Sequence, residues 1–172
     1  MLEGSIKYSG GKIGIAVSRF NNDITGNLLK GALHGLKKYS VPEENIVVVK
    51  VPGAFEIPLA AQKLLRGDNM ADACDVIITL GVIIKGDTDH YEYVCKETAD
   101  GIMRIQLDEG RPVIFEVLMV DQVERAEARS VVPVGDNDGV VYDDSGDPQW
   151  MNNKGYIAAL NALEMMNLYG KM

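Results

Sequence analysis

Cysteine is scarce in this chain: 172 residues contain only two, Cys74 and Cys95. Their separation matches no metal-ligand spacing and rules out a disulfide framework. Such thiols ordinarily pack as small hydrophobes. No apolar run approaches the ~18 residues that a membrane-crossing helix needs. Met1 to Gly11 lacks the charged-then-apolar layout of a signal peptide, so a soluble cytoplasmic protein is expected. Positive charge is also short. Seventeen Lys and Arg stand against 25 Asp and Glu, a formal net charge of −8. That excludes the basic face a nucleic-acid partner requires. It still permits a small anionic ligand, because a few local donors can hold a phosphate in an acidic protein.

What is present is ordinary globular material, 47% hydrophobic and 24% charged. The length suits one domain over 1–172 with no internal repeat. Lys12 to Ser18 reads as a strand. Ile24, Leu28, Leu29, Ala32, Leu33 and Leu36 recur at helical spacing, so a helix begins near Asp23 and breaks at Ser40, Val41 and Pro42. Asn45 to Val51 reads as a second strand, apolar enough to be buried on both faces. Phe55 to Arg66 reads as a helix with Pro58 in its first turn, where no donor is lost. Asp75 to Gly81, Thr88 to Leu107, Pro112 to Met119, Asp121 to Arg129 and Asn153 to Leu168 continue the alternation. The expected fold is a three-layer α/β/α sandwich around a four-stranded parallel sheet. Residues 131–151 form a long acidic loop, with Asp136, Asp138, Asp143, Asp144 and Asp147 and a possible short hairpin at Gly139 to Tyr142. Loops of that length are commonly functional or mobile.

Ligands of open parallel sheets bind beyond the carboxyl ends of the strands. Four segments follow a strand directly: Ser18 to Asn21, Val51 to Glu56, Gly81 to His90, and the residues after Phe115. In the third, Gly86 permits a tight turn, and Asp87, Thr88 or Asp89 can cap the following helix. Asp89 and Glu92 have capping-box spacing. The first-turn N–H groups can hold an anion. His90 lies in the same turn, where the positive helix end favours the neutral imidazole that accepts a proton.

Each of these features also has a structural reading. A cap and a histidine at a helix start often serve stability alone. Glu56 stabilises a helix N-terminus without any ligand. Phe20 either packs under a loop or offers a flat face to a heterocycle. Arg129 ends its helix favourably or pairs with phosphate, as Lys154 can. His34, on the polar side of the first helix, reads as a surface residue.

Taken together, the segments KIGIAVSRFN (Lys12 to Asn21), VPGAFEIP (Val51 to Pro58), GVIIKGDTDHYEYV (Gly81 to Val94), PVIF (Pro112 to Phe115), and NKG followed by ALEM resemble the lumazine synthase family. They occur in that family's order and cover nearly the whole chain outside 131–151. The resemblance implies a flavodoxin-like fold and condensation of 5-amino-6-(D-ribitylamino)uracil with 3,4-dihydroxy-2-butanone 4-phosphate, without metal or other cofactor. It implies that Phe20 stacks on the pyrimidine and that Ala54, Phe55 and Glu56 hold the ribityl chain and ring edge. It further implies that Val82, Ile83 and Ile84 contact the pyrimidine, partly through backbone groups. Asp87 and Thr88 match a phosphate-binding turn, Arg129 and Lys154 the cations near that phosphate, and His90 a proton donor and acceptor. Phe115 matches a residue contributed by a neighbouring subunit.

The resemblance also implies a homo-oligomer in which Met1 to Gly11 adds a strand to a neighbour's sheet. Insertions in the region of 131–151 accompany the smaller assemblies, so pentamers or decamers are expected rather than shells of twelve pentamers. Asp87 departs from the pattern by placing a carboxylate at the phosphate turn; its backbone N–H would bind while its side chain turns outward or caps the helix. Glu116, Met119 and Val120 also depart from the common residues. The competing readings are a related riboflavin-pathway synthase and a non-catalytic flavin- or lumazine-binding protein on the same scaffold. A two-component receiver fails because the first strand lacks its terminal acidic pair.

Overall fold

The computed structural model describes residues 1–69, 72–133 and 147–172. Four parallel strands, β1 (Ile13–Ser18), β2 (Ile46–Val51), β3 (Val76–Ile84) and β4 (Val113–Val120), form one sheet in the order β2-β1-β3-β4. Helices α1 (Asn22–Lys38) and α5 (Lys154–Tyr169) pack together, and their apolar residues share one core layer with β1 and β3. Helices α2 (Ile57–Arg66) and α3 (His90–Glu109) contribute to a second layer on the other side. A short helix, α4 (Val123–Glu127), follows β4. This is the expected parallel α/β architecture. Among the described residues, no helix is long and apolar enough to cross a membrane.

Strand alternation assigns the layers. Ile13, Ile15 and Val17 of β1 face the α1/α5 layer, while Ala16 faces α2. β1 and most of β3 are buried throughout, so their sequences are apolar on both faces. β2 departs from the expectation of double burial. Among the described residues it pairs only with β1, and most of its residues are half-buried or exposed, Val48 among them. Its apolar sequence indicated a buried strand but could not reveal that it lies at a sheet edge.

β3 also runs further than its sequence suggested. Gly81 looks like a stop, yet pairing continues to Ile84 because β4 offers partners as far as Val120. Gly81 serves close packing instead, since a Cβ there would come within 3.0 Å of Ile57 Cδ1. Helix α3 begins at His90, two residues later than expected. Asp89 occupies its N-cap position but makes no side-chain cap bond, so the expected capping box with Glu92 does not form.

His34 is not a surface residue. Its ring stacks on Trp150 with centroids 4.3 Å apart, and its Nε2 lies 3.5 Å from Asp147 Oδ2. Lys38 reaches the same buried carboxylate at 3.0 Å. Trp150 and Asp147 come from the far end of the acidic segment, which docks on α1 rather than lying wholly in solvent. The hairpin expected at Gly139 to Tyr142 lies outside the described residues.

Met1 to Gly11 follows α5 of its own chain. Asn167 Nδ2 donates to the Ser5 and Lys7 carbonyls at 2.7 and 2.6 Å, and Ser9 Oγ donates to Asn167 Oδ1 at 2.7 Å. Ile6 and Tyr8 pack on the first core layer.

Helices α1 and α5 meet through small residues. A Cβ on Gly35 would fall 2.8 Å from Ala159 Cβ, and one on Gly155 would collide with the Leu28 carbonyl. Gly26, on the same helix as Gly35, has nothing nearer than 3.8 Å. Gly155→Ala is therefore expected to lose about 1–3 kcal/mol or more through forced separation of the helices. Gly26→Ala is expected to be neutral or to gain up to about 1 kcal/mol. Urea titrations of the two variants check the contrast.

Candidate functional site

Chain connectivity creates the site. β1 and β3 are neighbours, but the chain leaves β1 through α1 towards β2 and leaves β3 through α3 towards β4. Helices departing in opposite directions open a crevice at the carboxyl ends of the two strands, the common ligand position in such sheets. A cleft of about 690 Å³ occupies this position, within the range of small-molecule sites.

Short hydrogen bonds fix its rim. The Arg19 and Phe20 amides donate to the Val51 and Pro52 carbonyls at 2.8 and 3.1 Å, continuing the β1–β2 ladder past the strand ends. Asn21 then takes a left-handed conformation, φ 56°, which turns the chain into α1. Phe20 is thereby held over the cleft with 69% of its surface exposed. Free packing would bury such an aromatic; here its face is left available.

The Val51 to Glu56 segment is pinned by Glu56 itself. Its Oε2 accepts the Gly53 amide at 2.9 Å and closes a short 3-10 turn before α2. Pro58 lies at the start of α2, where a missing donor costs nothing. Val82, Ile83 and Ile84 line the cleft from the end of β3, as residues of the strand itself. The Lys85 amide donates to the Val120 carbonyl at 2.9 Å and anchors the turn that follows.

The structure brings Phe20, Ala54, Phe55, Glu56, Val82, Ile83, Ile84, Thr88 and His90 to this one cleft. Gly53 and Gly86, expected on the rim as turn residues, line it as well, and so do Tyr91, Tyr93 and Val94, which the sequence reading missed. Helical spacing could have found two of these, because residues three and four after His90 share its face. Asp87 is exposed and does not line the cleft, although Gly86 and Thr88 on either side of it do.

Phe115, Arg129 and Lys154 lie elsewhere. Phe115 shares the β4 face of Val113 and Val117 and is 43% exposed at the sheet edge. Arg129 follows α4, and its Nη1 donates to the Arg125 carbonyl at 2.8 Å. Lys154 opens α5. No lysine or arginine lines the cleft, and among the described residues no cluster of three or more His, Cys, Asp or Glu could hold a metal.

Electrostatics mark one further residue. Glu116 points to the α1/α5 side of β4. Burial holds its carboxyl above the ordinary range, with Lys154 opposing the shift. The folded protein therefore keeps this proton to a higher pH than the unfolded chain does. Glu116 favours folding at low pH, and that contribution is lost as pH rises through its folded value. Glu116→Gln is expected to be at least as stable as the parent at neutral pH. The difference should vanish below about pH 4, where both forms are uncharged. Urea titrations at the two pH values check this.

The cleft offers an exposed aromatic face, strand-end backbone groups, a fixed carboxylate, a glycine turn and a histidine at a helix start. Those groups can hold a flat heterocycle beside an anion and move protons between them. Comparison with known families agrees: the model of the 6,7-dimethyl-8-ribityllumazine synthase family matches residues 10–170. The match covers the sheet, the five helices and every residue of the cleft, and by it the chain belongs to the 6,7-dimethyl-8-ribityllumazine synthase family, the transferases of riboflavin synthesis that form that lumazine.

Proposed function

We propose that the cleft binds 5-amino-6-(D-ribitylamino)uracil against Phe20 and that its completed form also draws on a neighbouring subunit. The observation that carries this reading is the convergence of Phe20, Ala54 to Glu56, Val82 to Ile84 and His90 on one crevice. Phe20 supplies the stacking face. The backbone of Val82 to Ile84 reads the pyrimidine edge. Ala54, Phe55 and the tethered Glu56 receive the ribityl chain.

The phosphate of 3,4-dihydroxy-2-butanone 4-phosphate lies at Gly86 to Thr88 and the first turn of α3. No side chain caps that turn, so its amides can face an anion. Asp87 contributes its backbone and keeps its carboxylate outside the cleft. Arg129, Lys154 and Phe115 all lie off the cleft of their own chain, and a neighbouring subunit presents them to it. The family implies a homo-oligomer. The exposed Leu59, Tyr93, Met103 and Leu107 on α2 and α3 give the subunits an apolar surface to bury. On assembly, Met1 to Gly11 exchanges its contacts with α5 of its own chain for a strand added to the open edge of a neighbour's sheet, and the chain works as one cytoplasmic domain.

The chemistry needs orientation and proton transfer. The 5-amino group attacks the ketone and water leaves, giving an imine. Loss of phosphate gives an enol that rearranges to a carbonyl, and the ribitylamino nitrogen closes the ring with loss of a second water. His90, at the mouth of the phosphate turn, takes the proton released as phosphate departs and returns one during the rearrangement. Holding two substrates together supplies most of the acceleration, up to about 7–11 kcal/mol in favourable cases. A positioned proton carrier adds about 10²–10⁴-fold.

His90→Ala is therefore expected to slow turnover by no more than about 10⁴-fold. Phe20→Ala should chiefly raise KM for the pyrimidine. Lumazine absorbance and phosphate release, followed together, check both and also separate catalysis from mere lumazine binding. Complete loss of activity in folded, assembled His90→Ala would overturn the role given to positioning. Light scattering on the same samples is expected to show a pentamer or decamer. A particle on the order of a megadalton would overturn that assembly.

A further inference from the structure

We infer that Asn153 is a positioning residue for the phosphate site: it fixes Arg129 and Lys154 relative to each other without touching substrate. The inference rests on the assignment of those two cations to the phosphate.

Asn153 is fully buried, and its amide is satisfied on every side. Its Oδ1 accepts the Gly155 and Tyr156 amides at 2.9 and 3.2 Å and caps α5. Its Nδ2 donates to the Asn27 carbonyl of α1 at 3.0 Å and to the Val131 carbonyl at 3.1 Å. Two donor amides on one side and two carbonyls on the other leave a single orientation for the side chain.

The backbone around it ties the same two segments. Asn153 and Ser130 form an isolated antiparallel bridge, and the Lys154 amide donates to the Arg129 carbonyl at 2.8 Å. The two cations are thus joined main chain to main chain, although they are far apart in sequence. The long acidic segment leaves and returns through this junction. The arriving leg is held separately, by the Asp147 carboxylate near Lys38 and His34 and by Trp150 on His34.

Capping has a chemical consequence as well. Asn153 occupies the first free amides of α5, so that helix start cannot bind an anion through its backbone. Lys154 must act there through its ammonium, and its placement depends on where the cap sets the first turn. The uncapped turn of α3 is built the other way. Gly31 of α1 leaves the room Asn153 needs, because a Cβ at Gly31 would overlap Oδ1.

Asn153→Ser tests this, since serine keeps a cap acceptor but loses both donations that close the junction. The readout is the pair of KM values, with kcat, for the assembled enzyme. KM for the sugar phosphate is expected to rise about 10- to 100-fold, with KM for the pyrimidine within about two-fold and kcat within about three-fold. Gly31→Ala, remote from the cleft and in a helix-compatible backbone, is expected to give the same selective rise by displacing the amide. It serves as the independent variant should Asn153→Ser fail to fold. Arg129→Ala is run alongside. If it leaves KM for the sugar phosphate unchanged, the phosphate assignment falls and this inference falls with it. If Arg129→Ala raises that KM while a folded, assembled Asn153→Ser or Gly31→Ala keeps the parental value, the inference alone is overturned. A parallel rise in both KM values, or lowered thermal stability with unchanged kinetics, also overturns it.

Discussion

The parallel ladder between β1 and β3 is the constraint on which the rest depends. Ile13 to Val17 pair with Val76 to Leu80 in register, and both strands are buried on their two faces. Because the two connections then leave in opposite directions, no helix can cover the carboxyl ends of these neighbours. The fold leaves an opening where its core is most rigid. Phe20 and Val82 to Ile84 are carried to that opening by the ends of the two strands. Glu56 reaches it from the short 3-10 turn before α2, and His90 from the first turn of α3.

Much of this is legible along the chain because periodicity reports burial. The continuous apolar runs of β1 and β3 and the helical spacing from Ile24 to Leu36 fix element type and layer. Gly81 shows the limit of local reading. It has the composition of a strand end, but β4 extends the ladder and Ile57 makes a small residue necessary there. β2 shows another limit, since burial by a neighbour and burial by the sheet leave the same apolar pattern. His34 shows a third. Its surroundings come from Asp147 and Trp150, which no spacing along α1 could announce. The cleft residues were legible through their motifs. Tyr91 was not, because it lies off the helical repeat of His90 and a tyrosine on a helix has no signature that separates lining from surface.

Charge is distributed to suit an acidic protein that handles a phosphate. Among the described residues no lysine or arginine lines the cleft, and Arg129 and Lys154 lie together elsewhere on the chain, with Glu116 near Lys154. Two helix starts are treated differently: α5 is closed by the Asn153 side chain, and α3 has no side-chain cap. A helix start without a side-chain cap is usually a small loss of stability. At α3 it leaves the first backbone amides without a side-chain acceptor.

The open edge of β2 has a consequence for the life of the free subunit. Among the described residues this strand is paired on one side only, and with Val48 exposed its edge offers a row of backbone donors and acceptors to any extended chain it meets. For a homo-oligomeric family, assembly is then a form of protection. A newly made subunit is safest when partners are abundant, so slow or sparse synthesis carries a greater risk of aggregation than ample supply.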